Sequence, residues 1–484
     1  MAEALKLRWF YIISGIFTAL SLAAIAGEFF WFALFPVLLL VLYLAFFSMD
    51  TLMYLIVIST PLAVVLKNED FNIGMSIPSE PLMFGIMLLF LFKVLHEGSY
   101  DKRALWHPVT IAIMINLIWI ALTVITSSIV IVSVKFLIAR LWFVLVFYFL
   151  AVQLFANIKN IKRFLWCYMI PFAGIIGYTI YRHAQNGFTE KSAHWVMYPF
   201  YNDHTSYAAA LTLLIPVLFA FIVDKTYSSV TRFFAAVLFL IFISALVLSY
   251  TRAAWMGLVV ALMFLPMIFL RLRIYTILII AVTGGVLFHQ YQEEILILLE
   301  KNKSNSSSDL AVHAKSISNV STDASNRERI NRWKSALRMY KERPVFGWGP
   351  GTYQFKYAPF QQSSEMTIIS TNAGDRGNAH SEYIGPLAES GVLGSLSFIV
   401  IVFLVISRGL KVIYESKTRE ICLLAKGLLL GLITYFAHGT LNNFLDTDKL
   451  SVPFWGMIAA LVALDVYHNK NKNAQDAELP QSNP

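Results

Sequence analysis

The stretch that decides the fold runs from Phe233 to Arg271 and reads FFAAVLFLIFISALVLSYTRAAWMGLVVALMFLPMIFLR. It contains two apolar runs, separated only by the polar sequence Ser249-Tyr250-Thr251-Arg252. Each run is close to the roughly 20 residues that an α-helix needs to cross the hydrocarbon core of a bilayer. The stretch therefore predicts two transmembrane helices joined by a short turn, with Arg252 at that turn.

The same kind of run recurs along the whole chain. Of its 484 residues, 58% are hydrophobic and only 14% are charged, whereas soluble domains carry roughly 25% charged residues. This composition excludes a disordered chain, a coiled coil and a set of soluble domains. Apolar runs of spanning length begin near Trp9, Phe29, Thr51, Leu82, Val109, Phe136, Phe164, Tyr207, Phe233, Ala253, Ile274, Tyr383, Leu424 and Ser451. The predicted fold is an all-α, polytopic transmembrane helix bundle of about 12 to 14 helices, with one large outer loop that contains short helices.

Basic residues assign the two sides of the membrane. Lys and Arg outnumber Asp and Glu by 38 to 29, a net charge of +9, and most short basic clusters fall at alternate ends of the predicted helices. The positive-inside rule places these ends in the cytoplasm, together with both termini. The excess charge is therefore interpreted as an orientation signal and not as a nucleic-acid surface. The first clusters are Lys102 with Arg103, then Lys159, Lys162 and Arg163, then Lys225 and Arg232.

This orientation divides the chain into four parts. Residues 1–290 form an N-terminal transmembrane bundle of about 11 spans, and residues 291–381 form a large loop on the outer side. Residues 382–468 supply about three further spans, and residues 469–484 form a polar cytoplasmic tail. The run near Trp9 is compatible with a cleaved signal peptide, but the many spans that follow it favour a retained first helix.

Two arginines lie in or next to apolar stretches, where a charged side chain has an unfavourable insertion free energy. Arg252 lies on the outer side, against the positive-inside trend, and Arg140 interrupts the apolar run near Phe136. An Arg near the centre of a membrane helix costs about 3 kcal/mol on insertion scales, so it usually has an anionic partner or a function. Snorkelling to the outer interface is the alternative interpretation of Arg252.

The outer loop contains a predicted helix and a glycine-rich turn. Residues 325–343 predict an amphipathic helix, and its apolar face holds Ile330, Trp333, Leu337 and Tyr340. The following sequence, Pro344–Gly351, contains three glycines, which permit positive φ and close backbone approach. Its backbone N–H groups suit either a phosphate cradle or a structural turn. The turn is favoured, because the Lys-Ser/Thr of a nucleotide-binding loop is missing.

A histidine stands where the loop returns to the membrane. The sequence Asn378-Ala379-His380-Ser381-Glu382-Tyr383 opens a membrane helix that continues to Glu389-Ser390-Gly391. The ordinary pKa of His, about 6.5, allows its neutral imidazole to take a proton from a hydroxyl group at neutral pH. His380 is thus a candidate general base. Glu389 lies too far along the helix for direct contact with it and is assigned a supporting or structural role.

Metal sites are not indicated by the sequence. Asp446-Thr447-Asp448 matches a pattern that holds a metal and a sugar nucleotide, but the orientation places it outside, so it is interpreted as a short loop. His380 has no second His at helical spacing that would complete a zinc site. Cys167 and Cys422 form neither a CxxC pair nor a disulfide framework. No metal and no other cofactor is predicted.

Taken together, these motifs resemble a known family. Arg252 after an outer-facing helix, Arg327 followed by Trp333 and the glycine turn, and His380 leading to Glu389 are similar to the O-antigen ligase and O-antigen polymerase superfamily. These are bacterial polytopic glycosyltransferases. The resemblance covers residues 203–391, and the first 200 residues share only its hydropathy.

The resemblance implies a reaction on the periplasmic face of the bacterial inner membrane. The donor is an undecaprenyl-diphosphate-linked glycan, and the acceptor hydroxyl belongs to the lipid A core or to another glycan. Arg252 and Arg327 are expected to hold the diphosphate without a metal, and His380 to act as the base in an inverting transfer. Further contacts with the diphosphate or the glycan are assigned to Arg140, Gly349 and Glu389.

The sequence leaves three functions open. A ligase and a polymerase of this superfamily share the outer-loop motifs, so the sequence does not separate them. A lipid-linked oligosaccharide flippase is the rival from another class, since buried Lys135 and Arg140 suit a path for an anionic head group. The large outer loop with its Arg, Trp, Gly and His motifs favours the enzyme.

Overall fold

The computed structural model describes residues 2–28, 43–44, 48–68, 73–98, 100–276, 279, 283, 324–367, 370 and 377–468. Within these residues the chain is almost entirely α-helical, which confirms the predicted all-α, polytopic fold. It divides into two compact units, Met1–Leu55 and Ile56–Pro484. Every residue that the sequence singled out for function lies in the second unit.

Ten helices of the described chain are long and apolar enough to cross a bilayer, so the protein is a multi-pass membrane protein. Seven of them precede the outer loop and three follow it. The spanning helices are α3 (Ser79–Glu97), α5 (Pro108–Ile125), α6 (Val130–Leu154), α7 (Ile158–Gln185), α9 (His204–Val223), α10 (Ser229–Leu248), α11 (Arg252–Phe269), α14 (Gly385–Glu415), α15 (Arg419–His438) and α16 (Asp448–His468). The others are α1 (Ala2–Ala26), α2 (Met49–Leu62), α4 (Lys102–Leu105), α8 (Glu190–Ala193), α12 (Ala324–Glu342) and α13 (Tyr353–Lys356).

The ten spans begin close to ten of the predicted starts. The predicted runs near Trp9 and Thr51 correspond to shorter apolar helices, Ser14–Ala24 within α1 and Met49–Leu62. The runs near Phe29 and Ile274 lie mostly outside the described residues, as do the Ser-rich first part of the outer loop and the C-terminal tail.

One element departs from the all-α prediction. Strands β1 (Val64–Asn68) and β2 (Ile73–Ile77) form an antiparallel hairpin in which Val64 pairs with Ile77. Each strand has only five residues. An apolar run of that length cannot be distinguished from a helical segment by its periodicity, which explains why the sequence analysis contained no strand.

Helices α9, α15 and α16 form the interior of the bundle. Most of the spanning window of each is buried, 94% in the case of α16. Helix α15 approaches α9 closely at Gly431, where a Cβ atom would lie 2.2 Å from the carbonyl oxygen of Leu213. Small residues allow such backbone contact between membrane helices, where dispersion replaces the hydrophobic effect as the attractive force. The remaining spans surround this interior and border lipid.

Helix α14 is broken near its outer end. Gly391 has φ 69° and ψ −170°, which are not helical values. The outer loop fills the break, because the Val392 N–H donates to the carbonyl of Pro344 at 3.0 Å. A backbone group released from a helix at membrane depth needs such a partner, since lipid offers none. The glycine turn and the broken helix therefore form one unit.

Replacing Gly391 by alanine is expected to destabilise this unit. A Cβ atom at Gly391 would lie 1.9 Å from the carbonyl oxygen of Val345, and the positive φ itself costs an alanine roughly 1 to 2 kcal/mol. We expect a lower midpoint of thermal unfolding and a lower yield of inserted protein, measured by fluorescence-detected size exclusion. Gly174→Ala in α7 is the control, because no atom lies within 4 Å of the added Cβ. Equal midpoints for the two variants would contradict the account of the break.

Candidate active site

Helix α12 contributes buried polar residues to the candidate active site. Its buried residues include four polar ones, Glu328, Asn331, Arg332 and Ser335. The predicted helix at residues 325–343 is confirmed as Ala324–Glu342. On its apolar face Leu337 is 42% exposed. The helix covers a polar part of the loop, and a few apolar residues anchor it. These are Ala336 and Met339, which belong to a small core with Tyr353, Tyr357, Ala379 and Ala388.

A buried ion pair joins α12 to the segment that holds His380. The Nε of Arg332 donates to Oε1 of Glu328 at 2.7 Å, and its Nη1 donates to the carbonyl of Asn378 at 3.4 Å. Glu328 also accepts hydrogen bonds from Thr367 and Ser370. Burial by itself raises the pKa of Glu328, but the hydrogen bonds from Ser370 and Arg332 outweigh it, so the pKa lies below its ordinary value. The ion pair is therefore charged at neutral pH.

His380 lies against this pair in a constrained backbone conformation. Its φ is 50°, and its N–H donates to Oδ1 of Asn378 at 3.1 Å. Burial, followed by the positive charges of Arg332 and Arg329, lowers the pKa of His380 from 6.5 to about 4, although Asp203 and Glu328 partly oppose this. The imidazole is thus neutral across the physiological range. It is a weaker base than a histidine with the ordinary pKa of about 6.5.

Further charged groups surround His380. Arg329 and Asp203 act electrostatically on both His380 and His438, which is the last residue of α15. Asp203 caps α9, since its Oδ1 accepts from the N–H groups of Thr205 and Ser206, both at 2.8 Å. We call the group His380, His438, Arg329, Arg332 and Asp203 the cationic cluster. Its two arginines were not identified from the sequence.

The two arginines predicted to hold a diphosphate occupy different places. Arg252 is the first residue of α11, and the preceding Thr251 donates from Oγ1 to the carbonyl of His204 at 3.2 Å. That bond brings the start of α11 to the start of α9, beside Asp203. Arg327 is instead exposed, and it is Arg329 and Arg332 whose charges act on His380.

The glycine turn packs on the broken helix α14. The N–H of Gly349 donates to the carbonyl of Glu389 at 2.8 Å, and that of Trp348 donates to the carbonyl of Ala388 at 3.0 Å. The Oε1 of Glu389 accepts from the N–H of Tyr353 at 3.0 Å. The turn interpretation of the glycines accounts for this geometry, because the N–H of Gly349 is already engaged within the fold.

Arg140 belongs to a separate cavity, which we call the carboxylate chamber. The chamber has a volume of about 180 Å³. The Arg140 guanidinium lies over the ring of Phe136, 5.4 Å from its centroid, and interacts electrostatically with Glu382, Glu389 and Asp446. The wall that the chamber shares with the His380 segment consists of Asn378, Ala379 and Ser381. The structure thus brings Arg140 together with carboxylates and not with the cationic cluster.

The two aspartates of the Asp446-Thr447-Asp448 motif diverge. Asp446 lines the carboxylate chamber, whereas Asp448 is buried at the start of α16 and accepts a hydrogen bond from Ser79 at 2.6 Å. Asp448 therefore fixes α3 against α16. The motif does not present a convergent pair of carboxylates.

A comparison with known protein families matches the region that contains this site. Residues 234–399 match the model of a family described as O-antigen ligase. This range contains α11 with Arg252, the described part of the outer loop, His380 and the break at Gly391. The resemblance inferred from the motifs is confirmed over these residues.

A relative matches a longer part of the chain. An uncharacterised protein of Haemophilus influenzae is 26% identical over 258 residues, which are 52% of this chain. The match spans 61% of the length of that relative.

Proposed function

We propose that the protein is a glycosyltransferase of O-antigen ligase type. It transfers a glycan from undecaprenyl diphosphate to an acceptor hydroxyl, on the lipid A core or on another glycan, at the periplasmic face of the bacterial inner membrane. The observation that carries the proposal is the position of a neutral imidazole, His380, beside the guanidinium groups of Arg329 and Arg332. The family match over residues 234–399 supports it.

The cationic cluster, together with Arg252 at the start of α11, has the chemistry needed to bind a diphosphate. A guanidinium group presents a planar fork of N–H donors that contacts phosphate oxygens in pairs. Arg329 and Arg252 are assigned to the diphosphate oxygens, while Arg332, already paired with Glu328, adds positive charge and positions His380. Charge that develops on the departing diphosphate is then stabilised by groups that are in place before the reaction.

The transfer itself breaks one bond and forms one. The oxygen of the acceptor hydroxyl attacks the anomeric carbon, and the bond from that carbon to the diphosphate oxygen breaks on the opposite face, which inverts the configuration. The electron pair leaves with undecaprenyl diphosphate. His380 takes the proton of the acceptor hydroxyl.

Binding of the donor also strengthens the base. In the free protein the charges of Arg332 and Arg329 contribute to lowering the pKa of His380 to about 4. Negative phosphate charge beside these arginines offsets part of their effect, and a nearby anion stabilises the imidazolium form. Proton transfer is thereby coupled to the presence of the leaving group.

Reconstitution tests this function directly. Purified protein in lipid vesicles receives an undecaprenyl-diphosphate glycan and a lipid A core acceptor, and the products are separated by gel electrophoresis and mass spectrometry. Transfer of the whole glycan to the core supports a ligase, and glycan-to-glycan extension supports a polymerase. Movement of the donor between leaflets without any new glycosidic bond would contradict the proposal and favour a flippase.

The sidedness of the site yields a prediction of its own. In a background with Cys167→Ala and Cys422→Ala, a cysteine at exposed Ser363 in the outer loop is expected to react with a membrane-impermeant maleimide in cells whose outer membrane alone has been permeabilised. A cysteine at exposed Lys225, between α9 and α10, is expected to react only after the inner membrane is opened, since this turn belongs to the basic side. The reverse labelling pattern would place the site in the cytoplasm.

A further inference from the structure

The carboxylate chamber has no role in the transfer as proposed above. It lies between α6, the start of α14, the glycine turn and the connection from α15 to α16. Its volume of about 180 Å³ is far above the roughly 15 Å³ that a single water molecule needs. A single sugar ring with its hydroxyl groups is a ligand of suitable size.

Charge argues against a diphosphate in this chamber. Arg140 is opposed there by three carboxyl groups, those of Glu382, Glu389 and Asp446. A diphosphate would place further negative charge beside these three carboxyl groups, with one guanidinium group to offset it. Hydroxyl groups, in contrast, donate hydrogen bonds to carboxylates and accept them from a guanidinium group. The lining therefore suits an uncharged polyol.

Several of these polar groups are already engaged by the fold. Glu382 accepts hydrogen bonds at Oε1 from the Tyr435 hydroxyl and from the N–H groups of Phe444 and Leu445, at 2.8 to 2.9 Å. Asp446, by comparison, is an exposed side chain within the lining. The Oδ1 of Asn443 is buried and has no hydrogen-bond partner among the described residues. Asp446 and Asn443 are thus placed to receive a ligand.

We propose that the carboxylate chamber binds one sugar residue of the acceptor through Asp446, Asn443 and Arg140. The inference rests on the proposed function and adds to it a site for the acceptor, separate from the cationic cluster that holds the donor diphosphate. The shared wall formed by Asn378, Ala379 and Ser381 joins the two sites, because the same segment carries His380.

An apolar groove lies near the carboxylate chamber, on the side of α5 and α14. A smaller cavity of about 40 Å³ shares Phe136, Arg140, Glu382, Pro386 and Glu389 with the chamber. It is also lined by Asn116, whose Nδ2 donates to the hydroxyl of Ser397 at 2.8 Å. Ser397 in turn lines an apolar groove between α5 and α14. The groove thus lies next to the smaller cavity, and the Asn116–Ser397 hydrogen bond separates them.

Direct binding tests the inference. The protein is placed in lipid nanodiscs that contain a dodecyl glucoside, galactoside or N-acetylglucosaminide, or undecaprenyl diphosphate, and bound lipid is counted by native mass spectrometry. We expect at least one monoglycoside to bind the wild type. Asp446→Asn should weaken that binding about tenfold, the usual scale for a hydrogen bond to a charged group. Its affinity for undecaprenyl diphosphate should not change.

Two further variants keep the test independent of folding. Asn443→Ala removes an oxygen that makes no hydrogen bond within the described chain, so it should reduce glycoside binding at an unchanged unfolding midpoint. Glu190→Gln, an exposed acid of the outer side that does not line the chamber, is the matched control and should bind all probes normally.

Three results would overturn the inference. They are the absence of monoglycoside binding to the wild type, equal binding to Asp446→Asn and Asn443→Ala, and a loss of undecaprenyl diphosphate in place of the glycoside. The assay does not depend on turnover. Failure of the glycosyltransferase proposal, seen as a lack of product in vesicles, is therefore distinguishable from failure of the sugar site.

Discussion

The His380→Ala enzyme is expected to turn over about 10² to 10⁴ times more slowly than the wild type, the usual loss when a general base is removed. Donor affinity should change little, because the diphosphate is assigned to arginines. The measurement is single-turnover transfer in vesicles, with donor binding determined separately. His96→Ala, which replaces an exposed histidine in the last turn of α3, is the matched control and should retain full turnover.

The pH profile provides a second readout for the same residue. Activity needs neutral imidazole, and the pKa of His380 in the free protein is about 4. The acid limb of kcat/KM, which reports the free enzyme, should therefore lie near pH 4 and not near 6.5. The limb of kcat should lie at higher pH, since bound diphosphate raises the pKa again.

A purely structural role of His380 predicts a different outcome. In that case His380→Asn should lower the yield or the unfolding midpoint while the purified fraction keeps its specific activity and pH profile. Near wild-type turnover in that variant would remove the assignment of His380 as the base.

The Arg329→Ala enzyme is expected to lose about 30-fold to 1,000-fold in rate. This range corresponds to about 2 to 4 kcal/mol for a charged contact that strengthens in the transition state. Arg329→Lys should recover little of the loss, because a compact ammonium group cannot reproduce a planar, two-pronged contact. Initial rates at saturating donor, compared with donor binding in nanodiscs, separate the transition-state effect from weaker binding.

Arg327 supplies the internal control for this prediction. It stands two residues earlier on the same helix, but it is exposed. Arg327→Ala should therefore retain most activity, whereas the sequence motif assigned it to the diphosphate. A loss in Arg327→Ala as large as that in Arg329→Ala would support the assignment of Arg327 that was made from the sequence.

The bundle could be predicted because each membrane helix satisfies its own backbone hydrogen bonds. The two runs of Phe233–Arg271 became α10 and α11, with the turn at Ser249–Thr251. The break of α14 could not be predicted from its local sequence. Gly391 leaves the helix because Pro344 and Val345, far away in sequence, occupy the space beside it.

The site could be predicted only in part. The assignment of His380 and Arg252 to the outer side came from the distribution of basic residues and stays a prediction. The buried polar contacts of α12 were not predicted, because the sequence pattern of this helix shows its apolar stripe and not the polar segment that it covers. Two spacings pointed to the buried face: Glu328 and Arg332 form an i, i+4 ion pair, and Arg329 and Arg332 share a face at i, i+3.

The contacts of the glycine turn also imply an order in which the membrane helices insert and the turn packs against them. The hydroxyl of Ser128 donates to the carbonyl of Trp348, 220 positions later in the chain, and the turn is completed only by Val392. Translation delivers α5 and α6 to the membrane long before the loop that docks on their outer ends. In the proposed orientation that loop is translocated and stays hydrated until α14 emerges and inserts. We therefore expect a nascent chain arrested before Val392 to expose an unseated turn and to be more sensitive to added protease than the complete chain.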